Sequence, residues 1–243
     1  MNNEEFQIGV ISPVECYKEG WELIKGQYWI LFAISIVGMI IGGISMYILL
    51  GSMVCGMFYC FFQVIDGGKA DLESLFKGFN YFKPSLLVIA VIVIPMIIVF
   101  SIIYIPVILT LTGSGMNEDE VFKFLTATII VEFIAALIMV CFHTLLMFAF
   151  PLIVDRNLGG WQAIKTSAKA VWQNLSGVAG LWAVGFGIAM VGYLLLCVGI
   201  YFTIPIIIAG TAVAYRKVFP KESSMVYNSP PPPNAYQGTG NQN

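Results

Sequence analysis

Long apolar runs alternate with short amphipathic stretches along this chain, and polar residues gather in a few narrow windows. The first run, 28–65, is too long for one membrane-crossing helix and fits two short ones, with a break between Gly42 and Ser52. The second, 84–111, opens on Pro84 in a first-turn position and carries Pro95 and Pro106, which predict kinks. A polar loop from Gly113 to Glu120 follows. The run 121–154 is long enough to tilt or protrude, with Pro151 near its end, and 175–215 again holds two short spans. The pattern predicts an all-α polytopic helical bundle with six transmembrane helices at about 28–46, 49–65, 84–111, 122–153, 175–195 and 199–215.

Amphipathic segments precede each pair of spans. Ser12-Pro13-Val14-Glu15 reads as a capping box, followed by Tyr17, Trp21, Ile24 and Tyr28 at helical spacing. Asp71 caps a shorter segment with Leu72, Leu75, Phe76 and Phe79 on one face. The third, 161–174, aligns Trp161, Ile164, Ala168, Val171 and Leu175. These read as helices lying in the membrane interface, or as cytoplasmic ends of the spans themselves. The unit of amphipathic helix, span and return span thus occurs three times, a weak internal repeat.

Composition agrees. Hydrophobic residues make up 58% of the 243 and charged residues 11%, against about 25% in soluble domains, and the mean hydropathy is +0.86. With a cytoplasmic N-terminus and six spans, eleven of the twelve basic residues fall inside and only Lys123 outside. Both termini are therefore expected in the cytoplasm of a multi-pass protein, and the polar start predicts no cleavable signal. Residues 1–12 read as a polar N-terminus, 13–218 as the membrane domain and 219–243 as a disordered proline-rich cytoplasmic tail containing Ser229-Pro230-Pro231-Pro232-Pro233. A formal charge of −2 and aromatics without basic patches argue against nucleic-acid binding.

The candidate chemistry is sparse. Glu132 and His143 are the ionisable residues inside an apolar run, eleven positions apart and about 16 Å along one helix face. They read either as an intramembrane polar site or as locally satisfied groups. Gly38 with Gly42, and Gly185 with Ala189, are small-residue pairs suited to close helix packing. Cys16, Cys55, Cys60, Cys141 and Cys197 form no metal spacing and read as small buried apolar residues. The acidic Glu118, Asp119 and Glu120 read as a solvated loop, and Asp155-Arg156 as a local ion pair. Without catalytic signatures, the expectation is no enzyme, no cofactor and no metal, but a scaffold or accessory module. A small transporter or lipid-handling carrier is the alternative. The expected partners are membrane lipids and a protein at the cytoplasmic face.

The stretch from Phe150 to Asn174, an apolar helix end closing on Asp155-Arg156 and leading through Trp161, Ser167 and Ala168 into the next span, carries a resemblance. It resembles polytopic bacterial inner-membrane proteins built like the membrane domain joined to some glycerophosphodiester phosphodiesterases, over residues 14–218. The resemblance implies a bacterial inner-membrane location and a six-helix architecture, and brings no activity.

Overall fold

The computed structural model describes residues 6–113, 117–194 and 198–221. It is an all-α helical bundle, with no strand among the described residues. The helices are α1 (Pro13–Ile24), α2 (Tyr28–Ile44), α3 (Leu50–Ile65), α4 (Leu72–Leu75), α5 (Phe82–Gly113), α6 (Glu118–Leu145), α7 (Ala149–Arg156), α8 (Gly160–Gln173), α9 (Leu175–Leu194) and α10 (Gly199–Val218). Short 3-10 turns, Lys25–Gln27 and Phe76–Tyr81, run α1 into α2 and α4 into α5. Among the described residues, five helical stretches are long and apolar enough to cross a membrane: Pro13–Ile44, Leu72–Thr110, Asp119–Arg156, Leu175–Leu194 and Gly199–Val218. The expected second span, α3, is apolar but only 16 residues long, about 24 Å at 1.5 Å per residue.

That short helix is the centre of the molecule. It packs against α1, α2, α5, α7, α10 and the 76–81 turn. Burial of Met53, Cys55, Phe58, Phe61 and Phe62 covers it nearly all round. By contrast α5 and α6, about 48 and 42 Å long, are apolar on every face, and none of the most apolar stretch of Asp119–Arg156 is buried. The two form a hairpin that leans on the rest of the bundle mainly at its base, through α3, α7 and α8.

The amphipathic segments bury part of the face their large apolar residues mark out, together with the small residues beside it. In α1 the buried residues are Cys16, Tyr17, Gly20 and Ile24, while Trp21 is exposed. Around α4 they are Ser74, Leu75 and Gly78, while Leu72, Phe76 and Phe79 are exposed. In α8 they are Gly160, Ala163, Ile164, Ser167, Ala170 and Val171, while Trp161 is exposed. The three segments share one spacing, a small residue, a large apolar one, then another small residue four after the first: Cys16-Tyr17 with Gly20, Ser74-Leu75 with Gly78, Ala163-Ile164 with Ser167. Small side chains let each segment touch the backbone of a neighbouring helix. A Cβ on Gly20 would lie 3.0 Å from the Ala209 carbonyl carbon and the Gly210 nitrogen of α10. On Gly78 it would lie 2.0 Å from the Ser52 carbonyl oxygen of α3.

Ser167 makes its contact by hydrogen bonding. Its hydroxyl donates to the Leu145 carbonyl (2.7 Å) and accepts from the Phe148 amide (3.1 Å). It thereby satisfies backbone groups where the predicted 122–153 helix breaks into α6 and α7. Pro151 causes the break, because it has no N–H to offer and its ring clashes with the carbonyl four residues back. Pro95 and Pro106, in contrast, sit within a continuous α5.

Several local expectations are corrected. Ser12 is the N-cap of α1, but its side chain makes no capping bond, so the capping box is absent there. A capping box does form at Asn117 and Glu120, which the sequence suggested only as loop. Asp71 caps α4 as expected, accepting from the Ser74 amide (2.7 Å). Cys16, Cys55 and Cys60 are buried, but Cys141 is exposed on the apolar hairpin. The break between Gly42 and Ser52 is a tight turn with Met46 and Tyr47 in the left-handed region (φ 50° and 70°), held by the Ser45 hydroxyl on Gly42 and Leu49. The packed body also reaches past 13–218. Phe6 meets Phe219, the Gln7 amide donates to the Val218 carbonyl (2.8 Å), and Asn174 clips the Gly9 amide and Gln7 carbonyl. The proline-rich tail and Cys197 lie outside the described residues.

The glycine contacts give a direct test. Gly56→Ala and Gly78→Ala, each setting a methyl 2.0 Å from a carbonyl oxygen, should destabilise the purified protein by about 1–3 kcal/mol or more. Gly43→Ala, with open space around it, should instead stabilise by roughly 0.4–1 kcal/mol. Thermal unfolding in detergent checks this, and equal effects at the three positions would contradict the packing.

Candidate functional site

Both ionisable residues expected on the fourth span face α5, and neither touches the other's partner. Glu132 accepts a short hydrogen bond from the Tyr104 hydroxyl. Tyr104, which the sequence reading passed over, stacks on Phe100 with ring centroids 4.2 Å apart. The Nε2 atom of His143 lies 3.5 Å from the Ile92 carbonyl oxygen. That carbonyl is one residue past Val91, whose oxygen Pro95 leaves without its helical donor. The pair is therefore two separate α5–α6 fastenings at different heights. An apolar recess of about 270 Å³ beside Pro106, Val107, Phe124 and Thr128 separates the two helices nearer the tip.

A stronger polar constellation lies at the other end of the molecule, where α3, α7 and α10 terminate together. Arg216 of α10 donates from Nη1 to Asp155 of α7 (2.5 Å) and from Nη2 to Asp66, the residue after α3 (3.1 Å). The Tyr215 hydroxyl donates to the second Asp155 oxygen (2.8 Å). The guanidinium lies 4.3 Å from the centre of the Phe62 ring, a cation–π arrangement. The Arg216 and Asp155 side chains are only 14% and 15% exposed. Lys221 adds a contact to Asp66 (2.6 Å), and Lys217 pairs with Glu19 of α1 (2.9 Å). Asp155 thus pairs with Arg216 rather than with its neighbour Arg156, which instead lies over the Phe219 ring (5.1 Å). The sequence offered the charges but not the pairing, since Asp66, Asp155 and Arg216 are 61 to 150 residues apart.

The small-residue pairs pack within the chain. Gly38 meets Met57 and Leu75, and Gly42 meets Leu50, so they join α2 to its own return helix and to α4. Gly185 meets the Tyr17 hydroxyl of α1. Ala189, one turn on, lines a cavity of about 260 Å³ between α1, α9 and α10. Its walls are apolar, formed by Leu181, Ile207 and Met147, with Trp182 and Phe186 at an open side.

Comparison with protein-family models, curated proteins and solved structures finds no match to this chain.

The junction predicts a specific pattern of mutational cost. Arg216→Met leaves the largely buried Asp155 without its cation, while Asp66 keeps Lys221, and should cost about 3–5 kcal/mol. Lys221→Ala, at a half-exposed position, should cost about 1 kcal/mol or less. Arg216→Met combined with Asp155→Leu should cost less than the two single changes summed, because the stranded charge is removed with its partner. Chemical or thermal unfolding of the detergent-purified variants measures all of these.

Proposed function

We propose that the chain is a non-enzymatic scaffold or accessory module embedded in a membrane, built from three copies of one unit: amphipathic segment, span, return span. The observation that carries this reading is the junction of Arg216 with Asp66 and Asp155, in which charges bind one another across the ends of three return helices. Its polar chemistry fastens the units together. Each unit's amphipathic segment packs on a return helix of another: α1 on α10, the 72–81 segment on α3 across the loop that joins them, and α8 on the α6–α7 break. We place this end in the cytoplasm with both termini, following the basic residues, and the location as a bacterial inner membrane, which accords with the resemblance over residues 14–218.

In this reading the exposed Trp21, Phe76, Phe79 and Trp161 form an aromatic rim at the membrane surface beside a cytoplasmic ring to which a protein partner docks. The test is purification of the intact chain from its native host in mild detergent, with mass spectrometry of what co-elutes. A stoichiometric protein partner, diminished by Phe79→Ala or Trp161→Ala and retained by Glu132→Gln, is the expected result.

A carrier is the second reading, supported by the Glu132–Tyr104 bond in an otherwise apolar hairpin. It expects Glu132→Gln or Tyr104→Phe to abolish the cellular phenotype at normal expression. Loss of phenotype in those variants, with no protein partner co-eluting, would displace the module reading.

A further inference from the structure

We propose that the lateral cavity between α1, α9 and α10 holds one acyl chain of a membrane phospholipid. The inference rests on the membrane placement above but not on the scaffold role. The cavity exists because α9 has small side chains where its neighbours do not close in. Leu181, Gly185 and Ala189 follow one another at four-residue spacing on one helix face, and Ile207 and Thr211 of α10 face them at the same spacing. Tyr17 of α1 fills the space over Gly185, and beyond it the hollow at Ala189 is left open.

The lining selects hydrocarbon. Its two hydroxyls are already satisfied: Tyr17 donates to the Leu181 carbonyl (3.2 Å) and Thr211 to the Ile207 carbonyl (2.9 Å). Both hydroxyl hydrogens are thus engaged with backbone, the rest of the lining is apolar, and apolar cavities take up apolar guests. The size selects a chain. At about 260 Å³ the space is too small for a second helix, whose diameter with side chains is about 10–12 Å. The opening selects the source. It lies beside Trp182 and Phe186 on the exposed face of α9, a helix without a charged residue, so the cavity is continuous with the surface that faces bilayer chains.

The experiment uses the full chain reconstituted in vesicles of phosphatidylethanolamine and phosphatidylglycerol, re-extracted in detergent, washed, and weighed for bound phospholipid by native mass spectrometry. Ala189→Phe and the smaller Ala189→Leu enter the open part of the cavity, whereas Gly185, already in contact with Tyr17, is left unchanged. Ile138→Phe, on the exposed face of α6, is the control. About one phospholipid per chain is expected on the wild type and the control, with an about tenfold fall in retention for the Ala189 variants. Added phospholipid should raise the melting temperature of the wild type and not of Ala189→Phe. Equal retention by folded Ala189 variants would overturn the assignment. A folded wild-type chain stripped of phospholipid, or carrying free fatty acid instead, would overturn it as well. Release of the chain from native membranes by alkaline carbonate would be a different failure, because it removes the membrane placement on which the site depends.

Discussion

The closeness with which helices approach one another at a few small residues governs the rest of this structure. The Gly56–Leu75 and Gly78–Ser52 contacts leave no room for a single methyl group, so the 72–81 segment lies directly on the backbone of α3. Gly20 lets α1 lie on α10 in the same way, and the Ser167 hydroxyl replaces direct backbone contact with two hydrogen bonds. In hydrocarbon the hydrophobic effect gives helices little reason to associate, so dispersion at close range and hydrogen bonding must hold them. The three amphipathic segments supply that contact at one end of the bundle. It is there, around α3, α7 and the end of α10, that most of the buried core lies.

Once those segments are seated, the ends of the return helices are brought within reach of one another. Asp66, Asp155 and Arg216 then meet in a partly desolvated junction, where a charge without its partner costs far more than it would at the surface. Aromatic rings of Phe62, Phe148, Tyr215 and Phe219 fill the space beneath. The consequence is a well-packed base and a largely exposed apolar hairpin, α5–α6, extending from it. The hairpin helices exceed the roughly 30 Å of a bilayer core, whereas α3 falls short of it. That short helix is largely enclosed by the rest of the protein.

This arrangement also bears on function. The hollow at Ala189 and the recess between α5 and α6 beside Pro106 are both lined almost wholly by apolar side chains. Glu132 and His143, which stand out in the sequence because ionisable groups are costly in an apolar run, each fasten α6 to α5.

The helical class, the positions of the six apolar helices and the amphipathic character of the segments before them were legible in the sequence. Runs of apolar residues and their periodicity are local properties, and the chain's surroundings do not alter them. Which face of each amphipathic segment turns inward was legible only in part. Tyr17, Ile24, Leu75, Ile164 and Val171 of the apolar faces are buried, but contact with another backbone turns in Cys16 and Gly20, Ser74 and Gly78, or Ala163 and Ser167 beside them, leaving Trp21 and Trp161 outside. The pairing of Arg216 with Asp66 and Asp155 was hidden, because it joins ends of three helices far apart in the chain. So was the hollow at Ala189, since a cavity is a property of what fails to meet across space. By itself the sequence determined where helices form and how apolar each is. Only the tertiary structure decided which small residues touch, which charges pair and where space remains, because those depend on the approach of segments that local pattern does not relate.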